Sequence, residues 1–324
     1  MTAADLPSYD ELRGRTDAPA GSSWGLWGAR DVLGTLNLLG PAGVAAGLAE
    51  ARTGRTFSLN LDLGLPTPEL IGRTPPRHSY APIGPYGADD VIDGYNTQLS
   101  SQWDGFGHVR HPVYGHYNGL ERAEHGVDHW ARRGISGRGV LADVARFRQA
   151  QGRPLRLDHG ETIEADELRA TLAAQGTDVA TGDILLVRTG WAGWYRGLDP
   201  GQRAAVDASP CVSPGLAQGE ATCRYLWDLH IAAAAADNTS FEMAPFEQVD
   251  GADPAVLATP DGIARFNLMY NLLSLLGLPF GELFDLDDLA ADCARQGRWS
   301  FLFVSAPLRL RGAIGSPANA IAIT

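Results

Sequence analysis

Residues 183–190 read DILLVRTG, and the four apolar residues 184–187 are followed by a polar pair and then by Gly190. A short run of this kind, bounded by turn residues, is typical of a buried β-strand. Other short apolar stretches rich in β-branched and aromatic residues predict further strands. They are TFSLNLDL (56–63), GVLADVA (139–145), SFLFVSAPL (300–308) and AIAI (320–323).

Helical patterns separate these strands. The segments concerned have apolar residues three or four apart, or a capping residue at the start and a glycine near the end. They are PAGVAAGLAEARTG (41–54), EADELRATLAAQG (164–176), SPGLAQGEATCRYLWDLH (213–230) and DLDDLAADCARQG (285–297). The run at 230–242 is compatible with a helix or with a buried strand that ends in polar groups. The mixture predicts an α/β domain.

The composition is that of an ordinary globular protein and excludes some functions. A formal net charge of −12 disfavours a nucleic-acid partner, which would need a basic face. The absence of a long apolar run and of a signal-type start predicts a cytoplasmic protein with no membrane partner. We predict one domain over 1–324, with an N-terminal extension at 1–25 and a long Pro/Gly-rich loop at 63–90.

The stretch NTQLSSQWDGFGHVRHPVYGHYNG (96–119) holds the candidate site. Asp104 and His108 are four residues apart, but Gly105 and Gly107 favour a turn over a helix. An Asp beside a His is an acid–base pair, because the carboxylate raises the basicity of the imidazole and fixes its tautomer. The alternative is a surface loop in which both side chains cap turns.

Several ordered blocks resemble the cyclase family that includes bacterial kynurenine formamidase and isatin hydrolase. The most specific block is GYNTQLSSQWDGFGH (94–108), which matches the branch with an SSQWDG motif. Others are WGARDVLGTLNLLGP (27–41), RGVLADVAR (138–146), TGDILLVRTGW (181–191), AAADNTSFE (234–242), GLPFGELFDLDDLAADC (277–293) and GSPANAIAI (315–323). The resemblance implies a swivelling β/β/α-type fold, a homo-oligomer (dimer or tetramer), and hydrolysis or ring closure of a small molecule.

Metal-dependent members of that family carry a His-x-x-x-His-x-Asp-x-x-x-His motif, followed much later by a His and a Glu twelve residues apart. In this chain Gln98 and Gln102 stand at the first two His positions, while Asp104 and His108 are retained. Glu282 stands at the position of the Glu. The later His position falls on Tyr270, or on Met269 if one gap is allowed.

These substitutions leave two alternatives for the cofactor. Amide oxygens are poor zinc ligands, so a site of Gln98, Gln102, Asp104 and Glu282 suits a hard cation such as Mg²⁺, Ca²⁺ or Mn²⁺ better than zinc. Mn, Mg and Zn are the candidates for a divalent cation at this site. The other alternative, which we favour, has no cofactor, and the two amides then bind a carbonyl or enol of the substrate.

The resemblance and the acid–base residues together predict an enzyme that acts on a carbonyl of a small aromatic or polyketide-like molecule. His108 would be the general base, Asp104 would orient it, and Glu282 would be the partner acid. We predict Gln98, Gln102, Trp103 and Tyr270 as substrate contacts, and for Trp103 a buried core position is an equally good alternative. The competing hypothesis is a non-catalytic small-molecule binding protein that has lost the family's metal centre.

Overall fold

The computed structural model describes residues 6–67, 70, 72–207, 212–245, 253–257 and 259–324. Within them the strands are β1 (Thr56–Ser58), β2 (Arg77–Pro82), β3 (Ala88–Asp93), β4 (Gln102–Asp104), β5 (Ile135–Asp143), β6 (Thr162–Ile163), β7 (Ile184–Arg188), β8 (Gly215–Leu216), β9 (Ala233–Ala236), β10 (Phe280–Glu282), β11 (Ser300–Ser305), β12 (Gly315–Pro317) and β13 (Ala320–Ile323).

The α-helices of the described residues are short, and many end at a glycine or beside one. They are α1 (Tyr9–Arg13), α2 (Pro41–Glu50), α3 (Asp128–Arg133), α4 (Val144–Ala150), α5 (Ala165–Ala174), α6 (Trp191–Gly197), α7 (Pro200–Asp207), α8 (Glu220–Asp228), α9 (Pro254–Leu257), α10 (Pro260–Phe266) and α11 (Asp287–Gln296), and a π-helix spans Tyr270–Leu276. None of the helices in the described ranges is long and apolar enough to cross a bilayer.

One sheet organises the described part of the chain. Its strand order is β1-β13-β11-β5-β7-β9-β10-β4-β12. The central strands β5, β7, β9 and β10 are parallel, and the flanking pairs are antiparallel. Because parallel strands are covered on both faces, β7 and β9 are built from continuous apolar runs that are buried along almost their whole length. The predicted α/β class is confirmed.

Most of the predicted elements are present, with shifted boundaries. The strands predicted at 139–145, 183–190 and 300–308 correspond to β5, β7 and β11. The undecided run at 230–242 contains the strand β9. A helix starting at Ser213 was wrong, because Ser213 forms an isolated bridge with Ala244 and Gly215–Leu216 pairs with β6 before α8 begins.

The Pro/Gly-rich segment 63–90, predicted as a long loop, contains the strand β2 and the start of β3, which no pattern in the sequence indicated. The strands β2 and β3 form an antiparallel hairpin with the register Arg77↔Asp93 to Pro82↔Ala88. This two-stranded sheet is separate from the main sheet. Its large apolar side chains are exposed, with Tyr86 at 100% and Tyr80 at 72% of their maximum.

Candidate functional site

The candidate site is built on the strand β4, between β10 and β12. Gln102 lies opposite Glu282 of β10, and Asp104 lies opposite Gly315 of β12. Successive side chains of a strand point to opposite faces, so Gln102 and Asp104 share one face and Trp103 points to the other. Residues 180 positions apart in the sequence therefore meet across one pair of strands.

A buried hydrogen bond joins the two strands at this point. Nε2 of Gln102 donates to Oε2 of Glu282 over 2.6 Å. Both side chains are almost completely buried. Hydrogen bonds to a carboxylate are among the stronger ones in proteins, and a buried acceptor left without a donor is costly. Gln102 therefore fixes the position of the Glu282 carboxyl group.

Gln98 connects Asp104 to His108. Its Nε2 lies 2.5 Å from Oδ1 of Asp104 and 2.9 Å from Nδ1 of His108. Nε2 of His108 is 3.9 Å from Oδ1 of Asp104, which is too far for a hydrogen bond. The predicted Asp–His pair is therefore close in space, but an amide lies between the two groups.

The loop after β4 is what presents His108. The backbone N–H of His108 donates to the carbonyl of Gly105 over 2.9 Å, which closes a tight turn. Gly315 leaves room for the Gln98 side chain, because a Cβ at that position would lie 2.3 Å from Cγ of Gln98. Gly105 and Gly315 thus let the side chains of the polar cluster approach each other closely.

Arg73 is a member of the site that the sequence did not reveal. Its Nη1 donates to the backbone carbonyl of Gln98 over 2.6 Å and lies 3.5 Å from Oε1 of Gln102. Arg73 lies in the Pro/Gly-rich segment, in a turn that pairs it with Leu70. No spacing in the sequence links it to β4, so only the folded loop places it there.

Burial and the charges of the cluster shift the pKa of Glu282 strongly. Burial raises the pKa of the Glu282 carboxyl well above its usual value, and the neighbouring Asp104 carboxylate raises it further. The Arg73 guanidinium and the Gln102 amide act in the opposite direction. A buried carboxyl group that retains its proton can serve as a proton donor.

Trp103 is a core residue, which corrects its assignment as a substrate contact. Its side chain is fully buried and packs edge-on against Phe284 and Phe303, with ring centroids 5.3 and 6.2 Å away. The indole N–H donates to Oγ of Ser305 over 2.9 Å. The alternation of β4 thus directs Trp103 away from Gln102 and Asp104.

Tyr270 begins the π-helix and is half-buried. Its backbone N–H lies 3.3 Å from Oδ1 of Asn267. Among the described residues, no hydrogen bond joins its side chain to Gln102, Asp104 or Glu282. The structure therefore gives no contact that supports Tyr270 as part of the site, and its substrate role stays a prediction.

A cavity of about 390 Å³ opens beside the loop that follows His108. His111, Tyr114, Arg265 and Asn271 contribute to its lining, but the polar cluster does not. The side chain of His108 is 19% exposed, whereas that of Asp104 is inaccessible. His108 is therefore the member of the cluster that a molecule from solution can reach first.

The donor groups do not form an evident metal site. In the described ranges, no group of three or more His, Cys, Asp or Glu residues is arranged to hold a metal ion. One buried oxygen, Oδ2 of Asp104, has no hydrogen-bond partner and could accept a ligand. The amide nitrogens of Gln98 and Gln102, however, face the carboxylates that a cation would use. The side chains as placed therefore do not fit a divalent cation.

A second buried carboxyl group, Glu242, lies near this cluster. It accepts the backbone N–H groups of Leu268 and Met269 over 2.9 and 3.1 Å. Burial nevertheless raises its pKa from 4.5 to about 7. It also contributes to the raised pKa of Glu282. Through these hydrogen bonds, Glu242 connects the loop that follows β9 to the residues just before the π-helix.

Replacing Glu242 with Gln should flatten the pH dependence of stability. A carboxyl group with a raised pKa in the folded state stabilises the fold fully below its unfolded pKa of 4.5, and this contribution is lost as the pH rises through about 7. At about 1.4 kcal/mol per pKa unit, the native protein should lose roughly 3 kcal/mol more than the variant over this range, because the other buried carboxyl groups, such as Glu282, titrate in both proteins. Urea unfolding at several pH values measures the difference.

The control for this variant is Glu164→Gln, which changes an exposed acid at the start of α5. It should leave the pH profile of the free energy of unfolding unchanged. Parallel profiles for the native protein and Glu242→Gln would contradict the assignment of the raised pKa to Glu242.

The mixed sheet carries a buried polar cluster on β4 and β10, and together they define an α/β protein with a candidate site between these two strands. A family model described as "Putative cyclase" matches residues 62–243. A crystal structure described as a novel cyclase is 32% identical, covers 94% of this chain and 99% of that chain, and has a TM-score of 0.77. The chain belongs to the cyclase family.

Isatin hydrolases share the fold at lower identity. Isatin hydrolase A from Labrenzia aggregata, bound to benzyl benzoate, is 15% identical, with 83% of this chain and 93% of that chain covered and a TM-score of 0.57. The enzyme from Ralstonia solanacearum is 18% identical, with coverages of 87% and 95% and the same TM-score. No functionally curated protein matches the chain. The predicted cyclase-family fold is confirmed.

Proposed function

We propose that this protein is an enzyme that acts on a carbonyl group of a small aromatic or polyketide-like molecule, by amide or lactone hydrolysis or by ring closure. The observation that carries the proposal is the two sets of hydrogen bonds, three bonds in all, that gather the candidate residues. One set links Gln98 to both Asp104 and His108, and the other links Gln102 to Glu282. A cluster of titratable groups that includes a buried carboxyl group with a raised pKa, here Glu282, is typical of active sites.

His108 is the general base of the proposed reaction. The Gln98 amide is held by Asp104 and donates to Nδ1 of His108, so the proton of the neutral imidazole resides on Nε2. Nδ1 accepts a proton when a water molecule or a substrate hydroxyl replaces the amide as its donor. The exposed fraction of His108 allows that exchange.

Asp104 stabilises the charge that this step creates. When Nδ1 takes a proton, the imidazole becomes a cation with N–H groups on both ring nitrogens. Nε2 already faces Oδ1 of Asp104 at 3.9 Å, and Oδ2 has no other donor. A small rotation of the ring would bring Nε2 within hydrogen-bonding distance of the carboxylate. Asp104 thus acts through His108 and is a positioning residue.

Glu282 supplies the second proton. In hydrolysis, the oxygen of the nucleophile bonds to the carbonyl carbon while His108 takes its proton, and the bond to the leaving nitrogen or oxygen then breaks. That leaving atom needs a proton, and Glu282 retains one because its pKa is raised. Ring closure uses the same groups, with a hydroxyl or an enol of the substrate in place of water.

The purified protein should turn over at least one member of a small panel of aromatic carbonyl compounds. The panel contains an N-formyl arylamide, an aryl-fused lactam and an aryl lactone, since the related isatin hydrolases point to aromatic ligands. Product formation is followed by ultraviolet absorbance and chromatography. Binding of a panel member in calorimetry without any turnover would favour the competing hypothesis of a binding protein.

The oligomeric state and the location stay predictions. A homo-oligomer is supported by the hairpin β2–β3, where Tyr80, Ile83, Tyr86 and Ile92 are exposed large apolar residues. A second copy of the chain that covered this hairpin would bury them. Sedimentation velocity measures the mass in solution, and a monomer at all concentrations would contradict the prediction. The cytoplasmic location also stays a prediction.

A further inference from the structure

We infer that Arg73 and the amides of Gln98 and Gln102 replace a divalent cation in this site, so that Asp104 and Glu282 are held together without a bound metal ion. The inference deepens the proposed function and rests on it only for the location of the active centre. Metal binding is measured without turnover, so the two can fail separately.

Arg73 supplies a positive charge beside Glu282 and its neighbour Asp104 from within the chain. Nη1 of Arg73 lies 2.6 Å from the backbone carbonyl of Gln98 and 3.5 Å from Oε1 of Gln102, the amide whose nitrogen binds Glu282. A guanidinium is charged at every physiological pH. A divalent cation entering the same cluster would be repelled by Arg73 at short range, in surroundings that screen charge poorly.

The orientation of the amides is set by the groups around them. If the Gln98 amide were turned over, its oxygen would lie 2.5 Å from Oδ1 of Asp104, and two acceptors would face each other. Turning Gln102 over would place its oxygen against Glu282 and its NH₂ group against Arg73. Both amides therefore present nitrogen to the carboxyl groups, and nitrogen of a neutral amide is not a metal ligand.

The unpartnered oxygen of Asp104 is compatible with this arrangement. Oδ2 of Asp104 is a single acceptor, whereas a cation such as Mn²⁺ or Mg²⁺ needs several oxygen or nitrogen ligands around it. One N–H or O–H donor satisfies the oxygen, either from His108 or from a substrate. The position therefore fits a hydrogen-bond donor better than it fits a metal ion.

The test is a calorimetric titration of the full-length protein with MnCl₂ and, separately, with ZnCl₂. After treatment with a chelator, the native protein should show no saturable binding of either ion at this site. The double variant Gln98→His/Gln102→His should bind Zn²⁺ at least about tenfold more tightly than the native protein, because imidazole is a far better ligand than an amide. Adding Arg73→Gln to the double variant should tighten binding by at least a further tenfold or so.

The matched control is Arg77→Gln, which removes an exposed guanidinium of the nearby hairpin strand β2. In the double variant it should leave the metal affinity unchanged. Saturable binding of either ion to the native protein that Glu282→Gln abolishes would overturn the inference. If the double variant does not fold by circular dichroism, the native titration decides: binding that Glu282→Gln removes overturns the inference, and its absence supports it.

Discussion

Replacing His108 with Ala should lower kcat/KM by about 100- to 10,000-fold on any panel substrate that the native protein turns over. This is the usual range for the loss of a positioned general base. His108 is the most accessible titratable group of the cluster, and its Nδ1 is the atom that we propose accepts the proton. Steady-state kinetics measure the change, and the far-ultraviolet circular dichroism spectrum checks that the variant is folded.

The control is His159→Ala, which removes an exposed histidine whose ring pairs only with its neighbour Asp158. It should leave kcat/KM within twofold or so of the native value, because surface substitutions of this kind rarely disturb a distant site. A folded His108→Ala variant with native kcat/KM would remove His108 from the mechanism, whatever the substrate proves to be.

The central part of the fold could be predicted because its strands carry a strong local signal. The runs that became β5, β7 and β11 are apolar and bounded by turn residues, and such runs are buried wherever they fall in the chain. The strand β4 has only three residues, two of them polar, and no periodicity identifies it. Its position depends on pairing with β10 and β12, which come from the last fifth of the sequence.

The sequence named most residues of the candidate site, but it did not indicate the contacts between them. The matched motif named Gln98, Asp104, His108 and Glu282. Gln98 joins Asp104 and His108 by hydrogen bonds, and Gln102 holds Glu282 by a separate one. The motif could not say that Gln98 stands between the carboxylate and the imidazole, because side-chain orientation depends on the turn at Gly105. Arg73 was missed altogether, since it reaches the cluster from a loop with no pattern of its own.

Trp103 shows why neighbours in sequence need not be neighbours in a site. It lies between two site residues in the motif, and this placement suggested a wall of the substrate pocket. In a strand, adjacent side chains lie on opposite faces, so the strand assignment of β4 alone is enough to send the indole into the core. The alternation of polar Gln102, aromatic Trp103 and acidic Asp104 is compatible with a strand that has one buried face, but three residues are too few to identify a strand from sequence.

Replacing Trp103 with Ala should therefore lower the free energy of unfolding by about 3–5 kcal/mol, the range for deleting a fully buried aromatic side chain. The substitution leaves a cavity between Phe284 and Phe303 and removes the hydrogen bond to Oγ of Ser305. Equilibrium urea unfolding measures the loss. A residue that only touched substrate would instead raise KM and leave the stability of the free protein unchanged.

The conservative variant Trp103→Phe separates packing from the hydrogen bond. It keeps an aromatic ring between Phe284 and Phe303 but has no N–H for Ser305, so we expect a smaller loss of roughly 1–2 kcal/mol. The comparison residue is Trp194, which is only partly buried on α6, and Trp194→Ala should cost less than Trp103→Ala. A loss below about 1 kcal/mol for Trp103→Ala would contradict its place in the core and return it to the list of candidate substrate contacts.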